Sequence, residues 1–384
     1  MKSICVLCSL YPNEIHPAKQ VFVQQLVWAL ADMDIDCTVI CPLPINQYPE
    51  LKKLSTHVIE LSPTGKKIEV YFPKVFSAGQ RNIFGFKTAR LTTYLFLRAV
   101  KKIVSTLPSK PDVLYGHFFT PAGIVAAKIG LMHKIPSFVA YGESSPWSIF
   151  NYGLERIKKE SKNLAGVISV STANKNDLID LDVMANDKIG VFPNGIRTDH
   201  FFPRDRAESR KKFGFDADCF IIAFSGHFSD RKGVLRLRDA VDQIEGVRVI
   251  YAGKGTLDPH SEKTMFKGIV KPEDMPSFLC TADIFVLPTL NEGCSNAIVE
   301  AVACGLPVIS TDSPFNYDIL DETNSLLIDS SDINAIKEAI VSLKENKQLY
   351  NKLKDGAIKR SGQLSLEKRA KNIKLWIESQ LNEG

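Results

Sequence analysis

Apolar residues recur along this chain in short unbroken runs, separated by longer stretches with helical spacing, and the two patterns alternate. Residues 3–9 are such a run; residues 21–33 place Phe22, Leu26, Ala29 and Leu30 on one side of an amphipathic helix; residues 37–41 form a second run. An unbroken apolar run is the mark of a parallel strand covered on both faces, so the chain opens as β-α-β. Residues 87–105 are helical by period, 112–116 a strand, 121–133 a helix, 137–141 a strand, and 166–171 repeats the strand pattern. The stretch 191–206, VFPNGIRTDHFFPRDR, interrupts the alternation with turn residues, two prolines and no period, which predicts a linker. Beyond it the pattern restarts with a strand at 220–225, a helix at 234–244 and a strand at 247–252, and a last helix is predicted at about 365–381. The simplest architecture is α/β, with two doubly wound units in tandem.

Composition agrees with that picture. A chain of 384 residues with 45% apolar and 24% charged residues is long enough for two cores. The net charge of +5 is too small to suggest nucleic acid, but it is unevenly spread: residues 50–110 hold twelve Lys and Arg against three Asp and Glu. One face of the first half is therefore basic. The eight cysteines, Cys5, Cys8, Cys37, Cys41, Cys219, Cys280, Cys294 and Cys304, sit in apolar surroundings and read as reduced core residues. Cys5-x-x-Cys8 lies along a strand, where that spacing sends the thiols to opposite faces, and no His/Cys cluster completes a metal site. No signal peptide or membrane-length apolar run is visible, so the expected compartment is the cytoplasm.

The most informative stretch is 283–312. Ile284–Leu287 is a buried-strand run closed by Pro288; Asn291, Gly293, Ser295 and Asn296 supply turn and N-cap chemistry; residues 297–303 have the composition of a helix ending at Gly305-Leu306-Pro307; and a further strand begins at Val308. In a β-α-β unit of this kind, ligands collect at the carboxyl ends of the strands, where a helix N-terminus offers free N–H groups to a phosphate. Glu292 and Glu300 both lie near that rim. Carboxylates there would repel a diphosphate, so they make better sense as acceptors for hydroxyls of the two sugars that flank it.

Glu292 and Glu300, eight residues apart, with P-x3-E-G before and G-x-P-V after, resemble the signature of the retaining glycosyltransferases of family four. The order of elements resembles the GT-B fold of that family, two Rossmann-like domains facing a cleft, and the resemblance covers nearly the whole chain. It implies an acceptor-binding domain at residues 1–196, a nucleotide-sugar domain at 197–364, and a final helix at 365–384 that packs back on the first domain. Pro193-Asn194-Gly195-Ile196 resembles the family's linker motif, with Arg197 standing where aspartate is usual.

The resemblance also assigns residues. Glu300 would hold the ribose and Glu292 the donor sugar, while Gly293, Cys294, Ser295 and Asn296 line the donor loop. Arg231 and Lys232, followed by Gly233, would neutralise the leaving diphosphate together with helix N–H groups, at the strand end that carries Gly226 as a donor-binding residue. His227 occupies the place where the family usually has arginine. Gly253 and Gly255 resemble the family's glycine loop, and FKGIV at 266–270, with Ile269, resembles the segment that reads the base. Glu292, Arg231 and Lys232 are the residues expected to carry catalysis. No cofactor or metal is implied, only a nucleotide-sugar co-substrate, with a UDP-linked donor favoured.

The first domain matches less closely. Where a glycine-rich loop is usual, residues 11–20, YPNEIHPAKQ, contain no glycine, so Asn13, His16 or Lys19 would meet the ligand through side chains. Tyr141-Gly142-Glu143 stands where H-G-x-D is common, and His117 survives in G-H-F-F-T-P-A-G. His16, Lys19, His117, Tyr141 and Glu143 are thus the first-domain candidates. Residues 76–104 interleave Phe84, Phe86, Tyr94 and Phe96 with Arg81, Lys87, Arg90, Arg98, Lys101 and Lys102. That mixture suits either an ordinary amphipathic helix or an anionic membrane surface. The expected partners are a nucleotide-sugar donor and a saccharide or lipid-linked acceptor, with peripheral membrane contact in polysaccharide, lipopolysaccharide or glycolipid synthesis. The alternative is a non-catalytic sugar-binding relative of the same fold.

Overall fold

A computed structural model describes residues 1–216 and 218–382. The chain divides into two α/β units, one comprising Met1–Phe192 with the end of the chain from Arg369, the other Pro193–Lys368.

In the first unit the apolar runs form an eight-stranded sheet. Its spatial order is Ile189–Val191, Gly166–Ser169, Ser137–Tyr141, Val113–His117, Ser3–Leu7, Asp36–Ile40, Lys67–Tyr71 and His57–Leu61. All neighbours are parallel except the last pair. The antiparallel edge strand was not legible in the sequence, because its pattern of exposed and half-buried residues lacks an apolar run. The helix expected at 121–133 starts only at Ile124. Before it, residues 119–123 form one wide, irregular helical turn pressed on the sheet, where a Cβ on Gly116 would lie 2.5 Å from the Cα of Gly123. The last helix, Leu366–Asn382, sets Trp376 edge-on against Phe138 and Phe192, each at 5.7 Å within the first unit.

The second unit is a six-stranded all-parallel sheet ordered Thr264–Gly268, Val247–Ala252, Phe220–Ser225, Ile284–Leu287, Val308–Thr311 and Ser325–Ile328. In sequence order within the unit this is 3-2-1-4-5-6, so the direction of winding reverses between Phe220–Ser225 and Ile284–Leu287. Ile222, Phe224, Phe285 and Val286 are fully buried there, each stabilising the fold by about 1.5–3 kcal/mol. The expected linker 191–206 is shorter than its composition suggested. It follows a strand ending at Val191, and Asp205 caps a helix, Arg206–Phe213, by accepting from the Glu208 N–H at 2.8 Å. That cap was readable in the sequence as Asp-x-x-Glu.

Candidate functional site

The reversal point of the second sheet gathers most of the residues that the sequence singled out in that unit. Two loops leave the carboxyl ends of the adjacent central strands. One runs from Gly226 to Gly233, the other from Pro288 to Ser295. They are laced together: the Leu290 N–H donates to the Arg231 carbonyl at 2.8 Å, and the Thr289 hydroxyl lies 3.2 Å from the same oxygen. Gly233, at φ 73°, is required by this closeness, since a Cβ would lie 2.2 Å from the Pro288 carbonyl oxygen.

Lys232 and Glu292 meet across these loops as an ion pair, with side chains only 13% and 10% exposed. Glu292 also accepts from the Thr289 hydroxyl at 2.9 Å and lies 3.3 Å from the Arg231 guanidinium, which itself donates to the Asn291 carbonyl at 2.5 Å. Arg231 is far more exposed than Lys232. His227 is exposed at the start of the same loop.

Glycine at 253 and 255 has a packing reason that stands beside any ligand role. A Cβ on Gly253 would sit 1.9 Å from the Gly226 carbonyl oxygen, and one on Gly255 would sit 2.2 Å from that of Phe228. The loop after Val247–Ala252 thus lies against the Gly226 loop, with the Phe228 N–H donating to the Lys254 carbonyl at 2.9 Å. Next to it, the Gly253 N–H donates to the Gly268 carbonyl at 2.7 Å, which places the exposed Ile269 beside the glycines as an apolar shelf.

The helix Asn296–Ala303 begins without a side-chain cap: Ser295 stands at the N-cap, is buried, and its hydroxyl has no partner among the described residues. The first N–H groups of a helix have no partner within it, so an uncapped start of this kind is suited to an anion. Glu300 lies one turn along that helix, half-buried, and its carboxylate has no hydrogen-bond or ion-pair partner among the described residues. Burial pushes this carboxyl up to about 7. Asn194 of the P-N-G segment braces the loop, its amide donating to the Cys294 carbonyl at 3.1 Å and to Asn296 at 2.8 Å. Arg197, the departure from the linker motif, pairs with Asp199 at 2.6 Å.

In the first unit the corresponding reversal lies between Ser3–Leu7 and Val113–His117. The glycine-free loop there is shaped by Asn13, whose side-chain oxygen accepts from the N–H groups of Ile15 and His16 at 3.1 and 2.9 Å. His16 lies 3.5 Å from Glu50, and Lys19 is exposed. Gln20, the last residue of that loop, adopts a left-handed backbone (φ 49°, ψ 44°), and its side-chain oxygen is buried without a partner among the described residues.

Three first-unit candidates are held in ways that their sequence setting did not reveal. His117 is buried among Phe22, at 5.4 Å, and Phe118, at 4.6 Å. Burial, reinforced by Arg369, pulls its imidazole down to about 3. Tyr141 is fully buried, with its ring edge-on to Phe119 at 5.5 Å, so in this structure the ring packs in the core. Its strand is covered on both faces, which leaves no open side for the ring. Glu143 accepts from the Ser148 N–H at 3.1 Å and so caps the helix Trp147–Tyr152; burial raises its carboxyl despite that bond.

Sequence reasoning missed Glu60. It accepts from the Tyr11 hydroxyl and the Trp28 indole N–H, each at 2.9 Å, and from the Gln24 amide. It lines a cavity of about 450 Å³ with Tyr11, Asn13, Leu54, Val58 and Phe72. The available signal was a lone acid between Val58 and Leu61, and it went unread with the edge strand that carries it. Among the described residues no group of three or more His, Cys, Asp or Glu is placed to hold a metal ion.

Comparison with known proteins adds the family context. The family described as "Glycosyl transferases group 1" matches residues 219–346, and "Glycosyltransferase Family 4" matches residues 20–200. The chain is 26% identical over 357 residues to the putative teichuronic acid biosynthesis glycosyltransferase TuaC of Bacillus subtilis (strain 168), covering 90% of this chain and 89% of that protein. It is 28% identical over 215 residues to the UDP-Gal:alpha-D-GlcNAc-diphosphoundecaprenol alpha-1,3-galactosyltransferase of Escherichia coli, covering 51% and 55%. Among solved structures, sucrose-phosphate synthase from Thermosynechococcus elongatus matches with a TM-score of 0.77 at 18% identity over 100% of both chains. A likeness at that identity is one of fold, and the fold is GT-B.

Proposed function

The chain belongs to glycosyltransferase family four, and on that premise we propose that it is a retaining hexosyltransferase. It takes its sugar from a UDP-linked donor and delivers it to a saccharide or lipid-linked acceptor in the assembly of a polysaccharide, lipopolysaccharide or glycolipid. The observation that carries this reading is the cation pair Arg231 and Lys232 held on Glu292 at the sheet reversal, beside an uncapped helix start.

In the proposed reaction the bond from the sugar's anomeric carbon to the β-phosphate oxygen breaks, and the acceptor oxygen bonds to that carbon on the same face. The acceptor's proton passes to the departing phosphate oxygen, so no protein base is needed. Lys232, Arg231 and the N–H groups before Asn296 offset the charge that develops on the leaving diphosphate. Glu292 accepts hydroxyls of the sugar and Glu300 those of the ribose, which fixes the donor for attack. Ile269 offers its exposed side chain to the base. The first unit would take the acceptor, and its Glu60 cavity has the mixture of apolar wall and carboxylate that a sugar ring needs.

The donor and acceptor classes draw on the relatives. The Escherichia coli protein is named for UDP-Gal and a diphosphoundecaprenol-borne acceptor, and the Bacillus subtilis protein for teichuronic acid biosynthesis. Among the described residues no helix is long and apolar enough to cross a membrane. A lipid-borne acceptor would then be reached from the membrane surface, at the cytoplasmic face.

Thermal unfolding with UDP, GDP and ADP tests the site, because a ligand that binds only the folded state stabilises it by mass action. UDP should raise the midpoint, and Glu300→Ala should abolish the rise. A well-folded protein that no nucleotide stabilises would overturn the reading. The anomeric configuration of the product, read by NMR, tests retention separately.

A further inference from the structure

A lipid-borne acceptor obliges the protein to work at a bilayer, and the assignment of a bilayer-facing surface rests on that reading. Between Glu69 and Asp112 the chain carries eight Lys and Arg and not one Asp or Glu. This segment forms a short antiparallel hairpin, Asn82–Ile83 with Phe86–Lys87, followed by the helix Thr88–Val104. The hairpin turns on two residues, Phe84 at φ 47° and Gly85 at φ 82°. Turns of this kind favour Asn-Gly, because a bulky side chain is strained in the left-handed region. The chain nonetheless puts phenylalanine there and leaves it fully exposed, at 106% of its reference area. That ring packs against nothing in the protein, so the strain brings the fold no packing in return.

More apolar surface lies alongside. Ile83 and Phe86 of the hairpin are exposed, and so are Trp147 and Phe150 on the helix Trp147–Tyr152. That helix is fastened to the same place: Lys87 donates to the Phe150 carbonyl at 2.5 Å, and Arg90 to the Tyr152 carbonyl at 3.1 Å. On the Thr88–Val104 helix, Arg90, Tyr94, Arg98 and Lys102 recur every four residues and are all exposed, which makes one basic stripe.

We propose that the Phe84 hairpin, together with Trp147, Phe150 and this basic stripe, is a surface that docks on an anionic lipid bilayer, with Phe84 entering the acyl boundary. Charge complementarity selects the occupant. A protein partner would be expected to meet mixed charges, whereas headgroups of one sign match a segment without acids. Aromatic rings with a polar edge, such as Trp147, settle at the headgroup level.

The test is flotation of the full chain with vesicles of neutral phosphatidylcholine and with vesicles containing phosphatidylglycerol, with the UDP thermal shift read in parallel. The expected result is binding to the anionic vesicles only, weakened about tenfold by Phe84→Ser and removed by Arg98→Glu with Lys102→Glu. Because these side chains are exposed, each variant should unfold at the wild-type temperature and keep its UDP response. Wild-type protein that stays off anionic vesicles, or Phe84→Ser protein that binds them as wild type does, overturns the proposal; so does a hairpin that captures a protein but no vesicle. Vesicle binding without a nucleotide shift would remove the transferase reading and leave the docking surface. The reverse result would remove the docking surface alone.

Discussion

Lys232 and Glu292 neutralise each other at the reversal of the second sheet, in a pair almost withdrawn from solvent. The cation proposed to meet the diphosphate is thus already engaged, and the donor must draw it away. Glu292→Gln keeps the shape and frees Lys232. Nucleoside diphosphate should then bind at least as tightly as in wild type, while kcat falls by a factor of about 100 or more. Isothermal titration and turnover, measured on a variant with an unchanged unfolding temperature, separate the two effects. Wild-type turnover by that variant would remove Glu292 from the mechanism.

Glu300 makes the second prediction, one of pH. Its carboxyl stands raised to about 7 from an ordinary 4.5, so between those values the folded protein holds a proton that the unfolded chain has released. Stability from this group is therefore present at low pH and declines as pH rises toward 7, by no more than about 3 kcal/mol given its partial exposure. Glu300→Gln should flatten that decline in urea unfolding between pH 5 and 8. Ribose hydroxyls favour the charged carboxylate, so wild-type UDP affinity should improve through pH 7 by more than the affinity of the variant. Identical pH dependence in both proteins would contradict the assignment.

How much of the molecule was legible depends on where the signal resides. Phe220–Ser225, Val247–Ala252 and Ile284–Leu287 have the bounds that their apolar runs predict, because strands buried on both faces admit few polar residues. The edge strand His57–Leu61 alternates exposed and half-buried positions and left no such run, so Glu60 and its cavity went unseen with it. In the second unit, Glu292 and Lys232 were readable because the loops that carry them bear distinctive residues. Their pairing was not readable, since it depends on two loops sixty residues apart meeting over one sheet. The burial of Tyr141 was not readable either, because sequence position gives the end of a strand and not whether that end is covered.

Gln20 supplies a third prediction. It holds the left-handed backbone that a glycine would adopt freely, at a cost of about 1–2 kcal/mol for a residue with a Cβ. Glycine gives back about 0.5–1 kcal/mol through the greater freedom of the unfolded chain. Gln20→Gly should therefore stabilise the protein by roughly 0.5–1 kcal/mol, whereas Gln20→Ala, which retains the strain, should not. Chemical denaturation of the three proteins side by side checks this, and equal loss of stability in both variants would mean that the buried side-chain amide outweighs the strain.

His117 gives the last prediction, with the sign opposite to that of Glu300. Burial among Phe22, Phe118 and the sheet, aided by Arg369, pulls its imidazole down to about 3 from 6.5, so the unfolded chain binds a proton that the folded protein refuses. The stability of the neutral ring is fully present above pH 6.5 and is lost as pH falls toward 3, by as much as about 5 kcal/mol. His117→Phe should unfold at distinctly lower pH than wild type, with little difference at pH 8. Because the ring stays neutral across the working range, no limb of the pH–rate profile near 6.5 should vanish in this variant. A limb that did vanish would make His117 a titrating participant and return it to the reaction.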